Sequence, residues 1–332
     1  MIASLVDIRA WMTRYLMSIF LVLGLLGNMI NIYMFTRKDF RRNSCSLYLL
    51  ATSCANIISV VWGISPALRT LDNPDPSTYS YLYCKLRLYT IHTSVMIGRS
   101  FIILACFDRY ALCSQSIRFR AICQAKMAIR IILATILLWP ILTLHIILLQ
   151  NFSNNQCSRS GSYALIYGIY STLAAGIVPP VLMTTFSVLT IRHRRELRTR
   201  LNGLDVHRRR DHSLVVMLSS EVIVYVVTTS LYPAIALYQA LTNNQVKSAQ
   251  SLQIEAFVSF LGDSFLIYLN SASVFYVYLI GSSSFRKECQ LVLTKALQNL
   301  TRTTHQVHPT ITNVNNAVHF TTPNSIALHR VH

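Results

Sequence analysis

Asp108, Arg109 and Tyr110 put an acid, a strong base and a phenol side by side at the end of an apolar run that begins near Val95. Such a trio can hold an ion pair where hydrocarbon gives way to water. An ion pair that can exchange partners is also a two-state element, which is what a switch needs. Three more charges, Arg99, Glu221 and Asp263, stand inside apolar stretches. Unpaired, each would cost several kcal/mol there. Bond-breaking chemistry has no foothold: the chain contains no His-Glu-x-x-His, no Gly-x-Ser-x-Gly and no Gly-rich phosphate loop. No enzyme, cofactor or metal site is expected.

The elements that must carry these residues follow from composition. Of 332 residues, 53% are hydrophobic and 13% charged, against about 25% charged in a soluble domain. Seven apolar runs lie at about 15–35, 46–68, 86–108, 127–149, 163–191, 213–241 and 253–280. Each reaches the ~20 residues that a helix needs to cross a bilayer. They are too long and too uniformly apolar for transmembrane strands of about 10 alternating residues. The fold class expected is an all-α membrane protein, a seven-transmembrane helix bundle over 1–300. A polar, Thr- and Asn-rich tail at 301–332 reads as disordered.

The net charge of +18 could mark a nucleic-acid binder, but its placement argues otherwise. Arg37, Lys38, Arg41 and Arg42 follow the first run, and eight arginines lie between the fifth and sixth. The loops on the other side hold little more than Arg69, Arg159 and Lys247. This asymmetry puts the N-terminus outside and the C-terminus in the cytosol. The basic surplus is then a topology signal and suits contact with membrane lipid, and no nucleic acid is expected as a partner.

Of eight cysteines, Cys45, Cys54 and Cys106 read as small buried hydrophobes, and Cys113, Cys123 and Cys289 face a reducing compartment. Cys84 and Cys157 are the pair left outside, so a disulfide between them is expected. Asn151, in an Asn-Phe-Ser sequon on the same side, is a glycosylation candidate.

Seven helices, an outer cysteine opening the third and Asp-Arg-Tyr closing it resemble the rhodopsin-like family of G-protein-coupled receptors. Cys84 stands 25 residues before Arg109, the family's spacing. Gly27-Asn28, Leu50-Ala51, Trp139, Pro179-Pro180 and Pro233 fall in order as landmarks of helices one, two, four, five and six. Tyr278, seven residues before Phe285, fits the end of helix seven and the start of a short amphipathic eighth helix, about 282–292. The resemblance covers about residues 12–290. It implies a plasma-membrane receptor that activates a heterotrimeric G protein. Asp108, Arg109, Tyr110, Pro233 and Tyr278 would form its coupling and activation machinery, with Asp108 holding Arg109 at rest.

Several family positions are altered. Cys54 falls where helix two usually carries an Asp, and Val274 to Tyr278 lacks the Asn-Pro of helix seven. Leu231 replaces the helix-six Trp in "SLYP". No sodium site is expected without that Asp. Arg99 is expected to pair with Glu221 or Asp263 and supply a polar core in its place. These changes keep a second reading open, a weakly coupled receptor-like protein for a non-peptide ligand. A seven-helix transporter is a third reading, against which the lack of an internal repeat counts.

Ile91 occupies the helix-three position that holds an Asp in amine receptors, which argues against monoamines. The outer third of the bundle offers Arg87, Tyr89, His92, Thr93, Tyr232, Tyr238, Gln239 and Glu255. This mixture of donors, acceptors and rings suits an extracellular peptide. "MTTFSVLTIRHRREL" and "NSASVFYVYL" resemble invertebrate neuropeptide receptors, in particular those for RFamide-type peptides.

Overall fold

The computed structural model describes residues 2–114, 116–153, 156–158, 162–200, 206–242 and 245–307. Among them, seven helices are long and apolar enough to cross a membrane. They are α1 (Leu5–Thr36), α2 (Ser44–Arg69), α3 (Tyr81–Cys113), α4 (Ala125–Leu149), α5 (Ser162–Glu196), α6 (His212–Gln239) and α7 (Ala249–Gly281). An eighth, α8 (Ser283–Val307), follows α7 directly. The protein is an all-α, multi-pass membrane bundle.

Helices α1, α3 and α5 overrun the apolar runs expected from sequence. At 35 residues α5 is about 50 Å long, well beyond a ~30 Å hydrocarbon core. Hydropathy marks only the lipid-solvated part of a helix. The helix itself continues until a cap stops it. The starts are set that way: Asn43 accepts from the Cys45 N–H at the head of α2, and Ser80 accepts from the Tyr83 N–H at the head of α3. The eighth helix also runs past the expected 282–292 and takes in 301–307, which the sequence reading gave to a disordered tail. Residues 308–332 of that tail lie outside the described residues. The chain divides into two units, Met1–Arg286 and Lys287–His332.

Helices α2 and α3 are the most enclosed, and α4 is the most exposed, with Leu137 and Ile141 turned to lipid. Close packing needs small residues at some crossings. A Cβ on Gly63 of α2 would lie 2.1 Å from the ring of Tyr268 in α7. One on Gly176 of α5 would meet the Pro233 ring of α6 at 2.9 Å.

Two of the bends have readable causes. Pro233 has no N–H for the carbonyl four residues back, and α6 is interrupted at Ser230. In α5, a π turn spans Thr172–Ile177 just before Pro179 and Pro180. The Ala175 carbonyl would be served by residue 179 in an α register and by residue 180 in a π register. Both are prolines, so that carbonyl has no main-chain donor in either register.

Candidate functional site

The outer ends of the helices enclose a cavity of about 680 Å³. A two-stranded hairpin, β1 (Asn151–Ser153) and β2 (Gln156–Ser158), lies beside it with Phe152 opposite Cys157. The Cys84–Cys157 disulfide ties this hairpin to the head of α3. Gln150 donates to Cys157 Sγ at 2.7 Å and lines the cavity. Asn151 is exposed on the hairpin.

Of the residues expected to meet ligand, Arg87, His92, Tyr232 and Gln239 line this cavity. Arg87 bonds to Asp75 at 3.3 Å. His92 is nearly buried between the hydroxyls of Tyr167 and Tyr170, each 3.2 Å from a ring nitrogen. Gln239 donates to Ser259 at 2.7 Å.

Four of those expected ligand residues lie elsewhere. Tyr89 turns to α4 and donates to the Pro140 carbonyl at 3.2 Å, and Thr93 pairs with Thr143 of α4 at 2.7 Å. Their register on α3 points them at a neighbouring helix, away from the cavity. Tyr238 and Glu255 form a rim cluster instead: the Tyr238 hydroxyl donates to Glu255 at 3.0 Å, and Lys247 reaches the other carboxylate oxygen at 2.8 Å. The sequence reading missed Gln150, Tyr167, Ser264 and Tyr268, which also line the cavity. Gln150 and Tyr167 could have been flagged by their proximity to the Cys157 loop.

Arg99 and Asp263 both line the same cavity. The expected pairing of Arg99 with Glu221 is overturned. The Arg99 guanidinium donates to the Ala175 carbonyl at 2.9 Å and lies over the Tyr225 ring at 5.6 Å. Tyr225 donates to the same carbonyl at 3.3 Å. The orphaned acceptor made by Pro179-Pro180 is thus satisfied twice, from α3 and from α6. That is the physical reason Arg99 turns to α5.

Glu221, 2% exposed, takes another partner: the Tyr278 hydroxyl of α7 donates to its Oε2. Its Oε1 has no hydrogen-bond partner among the described residues. A second tie between the same helices joins the hydroxyls of Ser213 and Ser282 at 2.5 Å. Tyr278 is fully buried against the rings of Phe35 and Phe285.

At the inner end of α3, Arg109 and Asp108 form a buried ion pair of 2.5 Å. Arg109 also donates to Asn43 at 3.0 Å, while Ser44 donates to the other Asp108 oxygen at 2.5 Å. The N-cap of α2 therefore grips both members of the pair. The Cys123 thiol donates to the Asp108 carbonyl at 3.3 Å. Burial, and then the nearby Asp108 carboxylate, push that thiol up to about 12. Tyr110 stacks on Phe186 and meets the edge of His193, both on α5. Arg109 is 3% exposed and held on both sides, so the bundle is closed at this end.

Cys54 corrects the reading of α2. It is exposed, not a buried hydrophobe. The buried polar positions around it are Thr52, Ser53, Asn56 and Ser59. Asn56 reaches Asn28 at 3.5 Å, and Asn28 in turn donates to the Ser271 carbonyl at 3.0 Å. Among the described residues, no group of three His, Cys, Asp or Glu side chains comes together as a metal site.

An outer cavity with a disulfide-tied hairpin beside it thus lies at one end of a seven-helix bundle, and a closed Asp-Arg-Tyr cluster lies at the other. Residues 27–273 match the family model for seven-transmembrane receptors of the rhodopsin family. That match runs from Gly27 in α1 to Ser273 in α7, takes in both ends of this arrangement, and makes the chain a member of the rhodopsin family of seven-transmembrane receptors.

Proposed function

We propose that the chain is a plasma-membrane receptor for an extracellular peptide, with its N-terminus outside and its C-terminus in the cytosol. Its Asp108-Arg109-Tyr110 end engages a heterotrimeric G protein when α6 swings away from α7. The cavity carries the ligand reading. Its volume of about 680 Å³ is in the range of known ligand sites. Its wall alternates Arg87, Gln150, Tyr232, Gln239 and Asp263 with apolar side chains such as Leu88 and Ile267. A peptide backbone needs such paired donors and acceptors, and its side chains need the apolar gaps. Among peptides, the RFamide type is favoured by the sequence resemblance. Membrane lipid is the remaining partner, at the helix faces and the basic cytosolic loops.

The test is G-protein activation in cells expressing the chain, screened with amidated peptides beside Arg109→Ala. A saturable peptide response lost in that variant, with peptide binding retained, is expected. A surface-expressed chain that stays silent to every peptide but responds to an amine or a lipid overturns the peptide reading. Peptide binding without G-protein activation supports the alternative of a weakly coupled receptor, to which Leu231 at the helix-six Trp position would point.

A further inference from the structure

Two opposite charges belong to the floor of the outer cavity. Arg99 of α3 and Asp263 of α7 both line it, and packing on α6 puts them at one level. A Cβ on Gly176 would meet the Pro233 ring, and one on Gly262 would lie 3.7 Å from the Tyr232 Cα. Ala175, whose carbonyl holds Arg99, precedes Gly176, and Asp263 follows Gly262. The guanidinium and the carboxylate therefore flank the same turn of α6, and Tyr232 of that turn is also part of the wall.

Depth decides which part of a ligand meets this pair. From Cys84 to Arg99, one face of α3 lines the cavity over 15 residues, about 22 Å. An extended peptide advances ~3.4 Å per residue. About six residues therefore span the cavity, and one chain end arrives at the floor. Arg99 is not used up by Ala175: it bonds that carbonyl through Nη1, and a guanidinium carries five N–H donors. The carbonyl keeps the Tyr225 hydroxyl when Arg99 turns to a ligand. A carboxylate accepts at about four sites, so Asp263 can take a ligand N–H beside its existing interaction within the chain.

Charge selects the end. The floor carries one charge of each sign in a low-dielectric setting. There an ammonium meets the like charge of Arg99, and a free carboxylate meets that of Asp263. A primary carboxamide is neutral and has both an acceptor oxygen and N–H donors. Resting on the reading that the ligand is a peptide, we infer that it enters with its C-terminus first and that this end is a carboxamide, its oxygen accepting from Arg99 and its N–H groups donating to Asp263. Arg99 and Asp263 are then the pair that reads the end group of the ligand.

The probes are libraries of random hexapeptides of about the length that spans the cavity. Two are tethered through the N-terminus, one ending in an amide and one in a free acid. Two are tethered through the C-terminus, one with a free and one with an acetylated N-terminus. Each is panned on the full chain in phosphatidylcholine nanodiscs. The amide library should be enriched. Its selected sequences, remade as free acids, should bind at least about tenfold more weakly, because a like charge replaces a hydrogen bond to Asp263. Asp263→Asn should bring acid and amide to about the same affinity. Arg99→Gln should weaken the amides at least about tenfold. If Arg99→Gln fails to fold, the acid–amide comparison and Asp263→Asn still decide the matter. Enrichment confined to the C-tethered libraries, or acids and amides that already bind alike in the parent chain, overturns the end-group assignment and leaves the peptide reading standing. No enrichment from any library overturns the peptide reading, and the end-group assignment falls with it.

Discussion

Removal of one hydroxyl, in Tyr278→Phe, tests whether the bond from α7 to Glu221 keeps the bundle closed. Phenylalanine keeps the ring that packs on Phe35 and Phe285 and deletes only the donor. Glu221 then has neither oxygen bonded, since Oε1 already lacks a partner. A buried hydrogen bond to an acidic group contributes about 1.5–3 kcal/mol. If α6 leaves α7 on opening, the open state has already lost this bond, so the whole penalty falls on the closed state. The closed-to-open ratio should fall roughly 10- to 150-fold. From a resting open fraction on the order of 0.1%, the open population should rise to about 1–15%. The assay is basal nucleotide exchange on G protein in membranes with matched surface expression, without ligand. Glu221→Gln should have a smaller effect, because its amide oxygen can still accept from Tyr278. A Tyr278→Phe variant with lowered thermal stability and parental basal exchange would refute the lock and leave a purely structural bond.

Loss of the outer disulfide, in Cys84→Ser or Cys157→Ser, reopens a loop of 73 residues, and chain entropy puts its contribution at about 4 kcal/mol. Both single variants and the double variant should lose surface expression to the same degree by flow cytometry; an additive double variant would show that the two cysteines act separately. Gly63→Ala places a Cβ 2.1 Å from the Tyr268 ring, and such overpacking costs about 1–3 kcal/mol. Its thermal midpoint in detergent should fall, and Tyr268→Ala in the same chain should recover part of that loss. The Cys123 thiol, at about 12 against an ordinary 9.0, should carry roughly a thousandfold less thiolate at pH 7.5 than an unperturbed thiol. Maleimide labelling of a chain with Cys54, Cys113 and Cys289 replaced by serine should be correspondingly slow. Because the folded pKa is raised, this group leaves stability unchanged below about pH 9 and lowers it as pH rises towards 12. Labelling at the rate of a free thiol would show that Cys123 is not held against Asp108.

The helices were legible because hydropathy is a one-dimensional signal, and each span carries about 20 apolar residues in sequence. The Asp108–Arg109 pair was legible for the same reason: its members are adjacent. What depended on rotation about a helix axis was not. One residue is 100° of turn. A one-residue shift in the reading of α2 therefore put Cys54 inside, where the structure has Ser53 and Asn56. The same limit hid that Tyr89 and Thr93 face α4 while His92, between them in sequence but turned about 60° and 100° away from them, faces the cavity. Glu221 and Tyr278 were both singled out, but a bond between residues 57 apart on different helices leaves no periodic trace. The cavity depends on side chains from several helices and on Gln150 at the end of α4, and only its α3 and α6 members were proposed as ligand residues from the sequence.

The altered positions make sense together once the prolines are followed. The family position that holds a Trp in α6 is Leu231 here, so the usual ring between ligand and helix six is missing. The structure offers a different connection. Pro179-Pro180 strips the Ala175 carbonyl of main-chain donors, and that carbonyl accepts from both Arg99 and Tyr225. Arg99 forms part of the cavity wall. Tyr225 lies one turn from Glu221 on α6, so the two share a face. Glu221 is the residue that Tyr278 holds from α7. Nearby, Pro233 seats against Gly176, the residue after that carbonyl. A ligand that draws Arg99 off Ala175 would leave Tyr225 as the remaining side-chain donor at that carbonyl among the described residues. It would thereby alter the anchorage of the same helix face that the Glu221–Tyr278 bond joins to α7. The sequence that loses the tryptophan thus keeps a residue of the cavity wall, Arg99, and a residue one turn from Glu221, Tyr225, bonded to one carbonyl of α5.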